Sequence, residues 1–246
     1  MHYGGGHLMN KYRRIVILTG AGISAESGIK TFRAGDGLWE GHRVEEVASP
    51  QGFVRNPDLV HSFYNRRRAQ LNAGSVYPNA AHIALAELER GFPGEVLVVT
   101  QNVDDLHERA GSANLIHMHG ELNKARCSVT EKVYNWTSDI LRDSCCECCR
   151  RAGTLRPHIV WFGEMPFEIE RIYDALMQCD LFISIGTSGH VYPAAGFVQV
   201  ASQAGADTVE LNLEPSLVNG AFQESIQGPA TRIVKEFVER LMAEET

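Results

Sequence analysis

An apolar run, Ile15-Val16-Ile17-Leu18, passes directly into a glycine-rich turn, Gly20-Ala21-Gly22-Ile23-Ser24-Ala25-Glu26-Ser27-Gly28. The order strand, glycine turn, helix constrains the fold more than any other stretch. Residues without a Cβ let the backbone turn tightly and let another group approach it. The N–H groups that open a following helix can hold a pyrophosphate. Residues 20–25 fit the G-x-G-x-x-G/A pattern, with Ala25 in third place. Such turns also serve purely structural roles, so the rest of the chain decides the meaning of this one.

Short apolar runs at 15–18, 96–99, 115–118, 159–162, 181–185 and 208–213 alternate with helical patterns near 57–72, 79–90, 104–110, 167–178, 193–204 and 231–243. Continuously apolar strands separated by helices predict a parallel sheet covered on both faces. That is an α/β fold, doubly wound and Rossmann-like. Residues 121–157 break the pattern and hold five of the six cysteines. They read as a small zinc-binding insert between 11–120 and 158–246. Residues 1–10 read as a leader or tag.

The 246 residues carry a net charge of −7 and no large basic block, which argues against nucleic-acid binding. An acidic chain suits basic partners such as lysine-rich segments. No apolar run approaches the roughly 18 residues of a membrane helix. Crowded cysteines without an export signal suit a metal site in a reducing cytoplasm. No long apolar surface stripe is evident, which leaves a monomer as the expectation.

Cys127 begins the cysteine cluster and 145–149 closes it. Cys145/Cys148 and Cys146/Cys149 both have the C-x-x-C spacing that brings two thiolates to one tetrahedral ion. The partner position near 130 is a threonine, Thr130. Cys127, Cys146 and Cys149, with Cys148 or Cys145 as the fourth, form the expected structural zinc site. A degraded knob that holds metal weakly or not at all is the alternative. Cys179 reads as a small buried residue.

Polar residues collect after three apolar runs: Thr100-Gln101-Asn102-Val103-Asp104, Gly186-Thr187-Ser188 and Asn212-Leu213-Glu214. Ligands of open α/β sheets bind beyond the carboxyl ends of the strands. No strand ending in a carboxylate follows the glycine turn at about 20 residues, and Glu45 and Glu46 sit in loop or helix context, which disfavours a dehydrogenase.

In this order, Gly20-Ala21-Gly22-Ile23-Ser24 with Thr31-Phe32-Arg33, then Gln101-Asn102-Val103-Asp104, His119-Gly120 and Gly186-Thr187-Ser188 resemble the motifs of the sirtuins, NAD-dependent protein deacylases. Asn79-Ala80-Ala81-His82 is similar to the bacterial CobB type. The resemblance covers about 13–240. It implies that 20–39 wraps NAD through Gly20, Ala21, Gly22, Ser24, Ala25, Glu26, Thr31, Phe32, Arg33 and Trp39. Gln101, Asn102, Val103 and Asp104 would line the nicotinamide and ribose pocket. Gly186, Thr187, Ser188, Asn212, Leu213, Glu214 and Ala230 would border the rest of the dinucleotide. Asn102 and Asp104 would serve catalysis with His119 as general base. The run Val160-Trp161-Phe162-Gly163-Glu164 would be an exposed strand that pairs with an acylated lysine peptide, giving substrate roles to Val160, Phe162, Gly163 and Glu164. His117 shares the strand face of His119, and spacing alone does not separate the two.

On helix 57–72, at about 100° per residue, Val60, Phe63, Tyr64 and Leu71 form one apolar stripe with Arg67 in its middle. Arg66 and Arg68 are expected to point away as solvated charges. An inward guanidinium needs an anion. Helix geometry alone favours an internal salt bridge. The resemblance instead implies that Tyr64 and Arg67 bind the carboxylate of a succinyl or malonyl group, with Ala48 leaving room. The expected activity is NAD-dependent removal of acetyl and acidic acyl groups from protein lysine, releasing nicotinamide and O-acyl-ADP-ribose. An ADP-ribosyltransferase and a non-catalytic NAD or ADP-ribose binding module are the alternatives.

Overall fold

The computed structural model describes residues 11–30, 38–39 and 41–243. The strands are β1 (Arg14–Thr19), β2 (Leu38–Trp39), β3 (His42–Arg43), β4 (Glu95–Thr100), β5 (Leu115–His117), β6 (Gly120–Cys127), β7 (Val133–Asn135), β8 (Leu155–Ile159), β9 (Leu181–Ile185), β10 (Asp207–Asn212) and β11 (Glu224–Gln227). The α-helices are α1 (Val44–Val47), α2 (Pro50–Arg55), α3 (Pro57–Asn72), α4 (Ala80–Gly91), α5 (Leu106–Ala110), α6 (Ile169–Gln178), α7 (Phe197–Gln203) and α8 (Ala230–Ala243).

Six strands form one parallel sheet in the order β11-β10-β9-β1-β4-β5. Successive side chains of β1 point to opposite faces. Ile15 and Ile17 enter one core with Leu85 and Leu88 of α4 and Val234 and Phe237 of α8. Val16 and Leu18 enter the other with Leu176 of α6 and Phe197 of α7. Both faces are covered, so the central strands are mostly apolar, with Ser184, Thr208 and Glu210 as buried polar exceptions. Each large apolar side chain so buried contributes roughly 1.5–3 kcal/mol.

A second sheet, β7-β6-β8, is antiparallel and brackets the cysteine-rich segment, running from residue 120 to 159. Helices α1 to α3 do not cover the parallel sheet. Val47, Val60, Phe63, Tyr64 and Leu71 pack with Leu122 of β6, Ile159 of β8 and Trp161. Helix α3 is started by Asn56, whose side chain accepts from Leu59 N at 3.1 Å, with Pro57 in the first turn.

Two expectations are corrected. The run 159–162 is not a strand of the parallel sheet. Residues 155–159 form β8 of the small sheet, and the chain then turns. Its apolar character comes from packing against α3, where Trp161 is buried. The glycine turn opens a seven-residue 3-10 helix, Ala21–Ser27, not an α-helix. Gly22 N–H is drawn to Gly186 O at 2.9 Å, and Ile23 N bonds back to Gly20 O at 3.2 Å, which tightens the coil.

Candidate functional site

The carboxyl ends of β1, β4, β9 and β10 meet at one rim. Gly20 N donates to Ile185 O at 2.9 Å, so the end of β1 is tied to the end of β9. A Cβ on Gly22 would lie 2.6 Å from Gly186 Cα, and one on Gly186 would lie 2.5 Å from Ile23 N. Gly186 is also left-handed, with φ 62°. Contact between two backbones therefore demands glycine at both places. The rim at this point is built of backbone packed directly on backbone.

Around this rim, Asn212 Nδ2 donates to Thr187 O at 2.7 Å. The Thr187 and Ser184 hydroxyls lie 2.9 Å apart, and Ser188, Leu213 and Glu214 are exposed beyond them. Glu26 turns to α8, where it accepts from Thr231 N at 3.1 Å and Thr231 Oγ1 at 2.6 Å, beside Ala230. Thr31, Phe32 and Arg33 lie outside the described residues. Trp39 is half-buried, edge-on to Phe63 at 5.1 Å.

Asn102 is buried at the centre. Its Nδ2 donates to Gly20 O and to Ser24 Oγ, both at 3.1 Å. Ser24 Oγ donates to Asp104 Oδ2 at 3.1 Å, and Asp104 Oδ1 accepts Leu106 N at 3.2 Å. Burial raises the Asp104 carboxyl to about 6, against the pull of these donors. The glycine turn, Asn102 and Asp104 thus form one hydrogen-bonded unit. Val103 packs toward the α3 core.

The two histidines are separated by their partners. His119 Nδ1 faces Gln101 O at 3.2 Å. A carbonyl only accepts, so Nδ1 carries the proton and Nε2 keeps its lone pair. Burial lowers its pKa to about 4, despite the opposing Gln101 bond, so the ring is neutral, with an unprotonated Nε2. His117 Nδ1 faces Asn102 O at 3.2 Å, while Nε2 lies 2.7 Å from Glu108 Oε1. Both ring nitrogens meet acceptors. Burial opposes its charge, but the Glu108 carboxylate prevails and raises the pKa. His117 is an ion-pair partner, whereas His119 is neutral and keeps the lone pair on Nε2.

Tyr64 is fully buried on α3 and accepts from Trp161 Nε1 at 3.0 Å. Burial raises its pKa well above the ordinary phenol value. Arg67 is half-buried. Its guanidinium lies 3.3 Å from the Phe63 ring centre and 5.0 Å from that of Trp39, and Nη1 donates to Phe63 O at 2.9 Å. Ala48 is buried and accepts Phe162 N at 3.0 Å.

The expected strand Val160–Glu164 is a bend. Val160 N donates to His119 O at 2.9 Å, and Glu164 N to Trp161 O at 2.9 Å, with Gly163 at φ 91°. Phe162 is 49% exposed. Glu164 faces inward, accepting Arg156 Nη1 at 2.7 Å, Arg126 Nη2 at 3.2 Å and Trp161 N at 2.8 Å. Arg68, expected to be solvated, is 1% exposed. It donates to Leu122 O at 2.7 Å, Asn65 Oδ1 at 2.8 Å and Ser138 O at 3.2 Å. These acceptors compensate its burial, and two are backbone carbonyls that leave no trace in sequence.

The sulfurs of Cys127, Cys146, Cys148 and Cys149 lie within 4.8 Å of one another. A tetrahedral zinc with Zn–S of about 2.3 Å sets sulfurs roughly 3.8 Å apart. Cys127 and Cys149 are 3.7 Å apart, and Cys146 and Cys148 3.2 Å. The donor set fits structural zinc, with Cys148 completing it and Cys145 outside. Thr130, in the missing cysteine's place, brings its hydroxyl to 2.9 Å from Cys148 Sγ.

No helix among the described residues is long and apolar enough to cross a membrane. The profile of the Sir2 family matches residues 20–193. An NAD-dependent protein deacylase of Pasteurella multocida is 62% identical over 95% of this chain and 100% of its own. Among solved structures, a Sir2 homologue–NAD complex superposes with TM-score 0.86 at 38% identity, covering 100% of this chain and 98% of that one. A mutant Sir2 homologue in complex with 2′-O-acetyl ADP-ribose gives TM-score 0.86 at 37% identity over 97% of this chain and 96% of that one.

Proposed function

The chain belongs to the Sir2 family, and we infer that it is an NAD-dependent protein deacylase acting on acylated lysine. The observation that carries the reading is the neutral His119 ring, held through Nδ1 by Gln101 O and leaving Nε2 as a base.

Bound NAD supplies a glycosidic bond that breaks to release nicotinamide and a ribose that accepts the acyl group. Gly20, Ala21, Gly22, Ser24, Gly186, Thr187, Ser188 and Asn212 line the cradle that would hold it. Asn102 orients the glycine turn through Gly20 O and Ser24 Oγ. His119 Nε2 would take a proton from a ribose hydroxyl, and burial, which lowers the pKa of the ring, keeps it unprotonated at neutral pH. Phe162 and Val160 border the approach of an extended peptide. Cys127, Cys146, Cys148 and Cys149 would hold zinc as a structural staple. We further propose that Tyr64 and Arg67 admit acidic acyl groups as well as acetyl. A guanidinium on an aromatic face beside a protonated phenol offers two donors to a carboxylate. The remaining parts of the reading are a cytoplasmic monomer that binds neither nucleic acid nor membrane, and an insert at 121–157.

NAD consumption with acetyl-lysine and succinyl-lysine peptides in parallel tests both parts. His119→Ala should lower turnover of both by about 100-fold or more while NAD still binds. Near-normal turnover would refute the base assignment. Arg67→Met should cut desuccinylation about 10- to 100-fold, the worth of a charge-assisted hydrogen bond, and deacetylation little. Equal loss of both activities would make Arg67 structural.

A further inference from the structure

Trp161 is 2% exposed and sits behind Tyr64. Its Nε1 donates to the Tyr64 hydroxyl at 3.0 Å. An indole N–H only donates, so the Tyr64 oxygen is an acceptor in this bond. The phenol proton must then point elsewhere. Burial keeps that proton on the oxygen. The Tyr64 ring packs nearly perpendicular to Phe63 at 5.1 Å and to Trp39 at 6.1 Å between ring centres, and the Arg67 guanidinium lies over both of those rings.

The indole is itself fixed. The Arg156 guanidinium lies 3.4 Å from its ring centre, and the Phe53 ring lies 5.1 Å away. Arg156 Nη2 donates to Ile159 O at 3.0 Å and to Glu164 Oε2 at 3.0 Å. The same Glu164 oxygen accepts Trp161 N at 2.8 Å, so one carboxylate holds both the backbone of the tryptophan and the cation on its face. An indole clamped this way cannot swing away from Tyr64 without breaking a buried network.

We propose that Trp161 is a positioning residue for acyl selectivity: by donating to Tyr64, it commits the Tyr64 O–H as a donor on the Arg67 side, where an acyl carboxylate would be received. The inference rests on the reading of Tyr64 and Arg67 given above. An acetyl group has no carboxylate there, so the effect falls on acidic acyl groups alone. Glu164 acts one step further back, and it is spoken for by the protein.

Trp161→Phe removes the N–H and keeps an aromatic ring. In the zinc-loaded protein, KM for a succinyl-lysine peptide should rise about 3- to 10-fold, the worth of one neutral hydrogen bond. The kcat values and the KM for the acetyl-lysine peptide should stay within about twofold. Tyr64→Phe should abolish the selective effect of Trp161→Phe, because no hydroxyl remains to be oriented. Should Trp161→Phe fail to fold, benzothienylalanine at 161, with sulfur in place of the N–H, makes the same comparison. An unchanged succinyl-to-acetyl preference in the folded variant overturns the inference, as does the same shift in the Tyr64→Phe background. A selective Arg67→Met effect beside a silent Trp161→Phe sinks this inference alone. Equal loss of both activities in Arg67→Met sinks the acidic-acyl reading and this inference with it.

Discussion

Acid should destabilise this protein through His82, by an amount that follows from its surroundings. The ring is fully buried as the third residue of α4. Its Nδ1 accepts the backbone N–H of Asn79 at 3.3 Å, so the neutral ring carries its proton on Nε2, 3.4 Å from Ser24 Oγ. Protonating Nδ1 would break the cap of α4 and bury a charge with the His107 ring 5.0 Å away. Burial lowers the His82 pKa to about 4, from 6.5. Below the unfolded value the unfolded chain binds a proton that the folded chain refuses, so stability falls as pH falls. From pH 7.5 to pH 5 the linkage comes to about 2 kcal/mol for this one group. That is a large share of the roughly 5–15 kcal/mol that holds a domain. Asp104 works the other way. Its raised pKa lets the folded state take up a proton first, which offsets about 1 kcal/mol over the same range. Loss of zinc from protonated thiolates adds a further acid-dependent cost. Both effects are shared by wild type and His82→Gln, and cancel in their difference. Urea unfolding of the two proteins at pH 7.5 and 5, followed by circular dichroism, should show wild type losing about 2 kcal/mol more than the variant. Parallel losses in the two proteins would refute the argument.

The other predictions concern the cradle and the metal. Gly186→Ala forces a Cβ to 2.5 Å from Ile23 N, and urea unfolding should show a loss of about 3 kcal/mol or more; an unchanged midpoint would show that β1 and β9 part easily. Cys148→Ser should lower bound zinc and thermal stability, whereas Cys145→Ser should leave both unchanged. Metal analysis giving the reverse would exchange the two ligands.

The parallel sheet was legible because burial on both faces leaves an unbroken apolar run. Strands β1 and β4 carry that mark, β9 carries it with one interruption at Ser184, β10 breaks it with the buried Thr208 and Glu210, and β11 does not carry it. It is an edge strand, Glu224–Gln227, with three exposed residues of four, and nothing in its composition separates it from a loop. The apolar run near 160 misled because it fills a different core. Trp161 is buried against α3, while the strand itself lies just before it in β8. The candidate site residues stand in the sequence as an ordered set of motifs, and the match to His119-Gly120 singles out His119, but the physical division between the two rings was not legible. That division depends on Glu108, which α5 places 2.7 Å from His117 Nε2 and nine residues away in sequence.

Arg67 and Arg68 show why one helix can be read half correctly. The periodicity of α3 reveals its apolar stripe, but the helix has a second buried face, and that face is polar. Asn65 and Arg68 lie on it. Asn65 Oδ1 accepts Ile140 N at 2.9 Å, and its Nδ2 donates to Ile140 O at 3.0 Å. Arg68 spans from Leu122 O to Ser138 O. Burial lowers its pKa to about 10, so it remains a cation at neutral pH, held by oxygen dipoles. Together the two residues staple α3 to the cysteine-rich segment. Residues 67 and 68 diverge by about 100° around the axis. Fixing Arg68 in the segment therefore fixes the rotation of the helix, and that rotation carries Arg67 onto the faces of Phe63 and Trp39. The solvated charge expected from the pattern is thus the anchor that orients the arginine proposed to receive the acyl carboxylate.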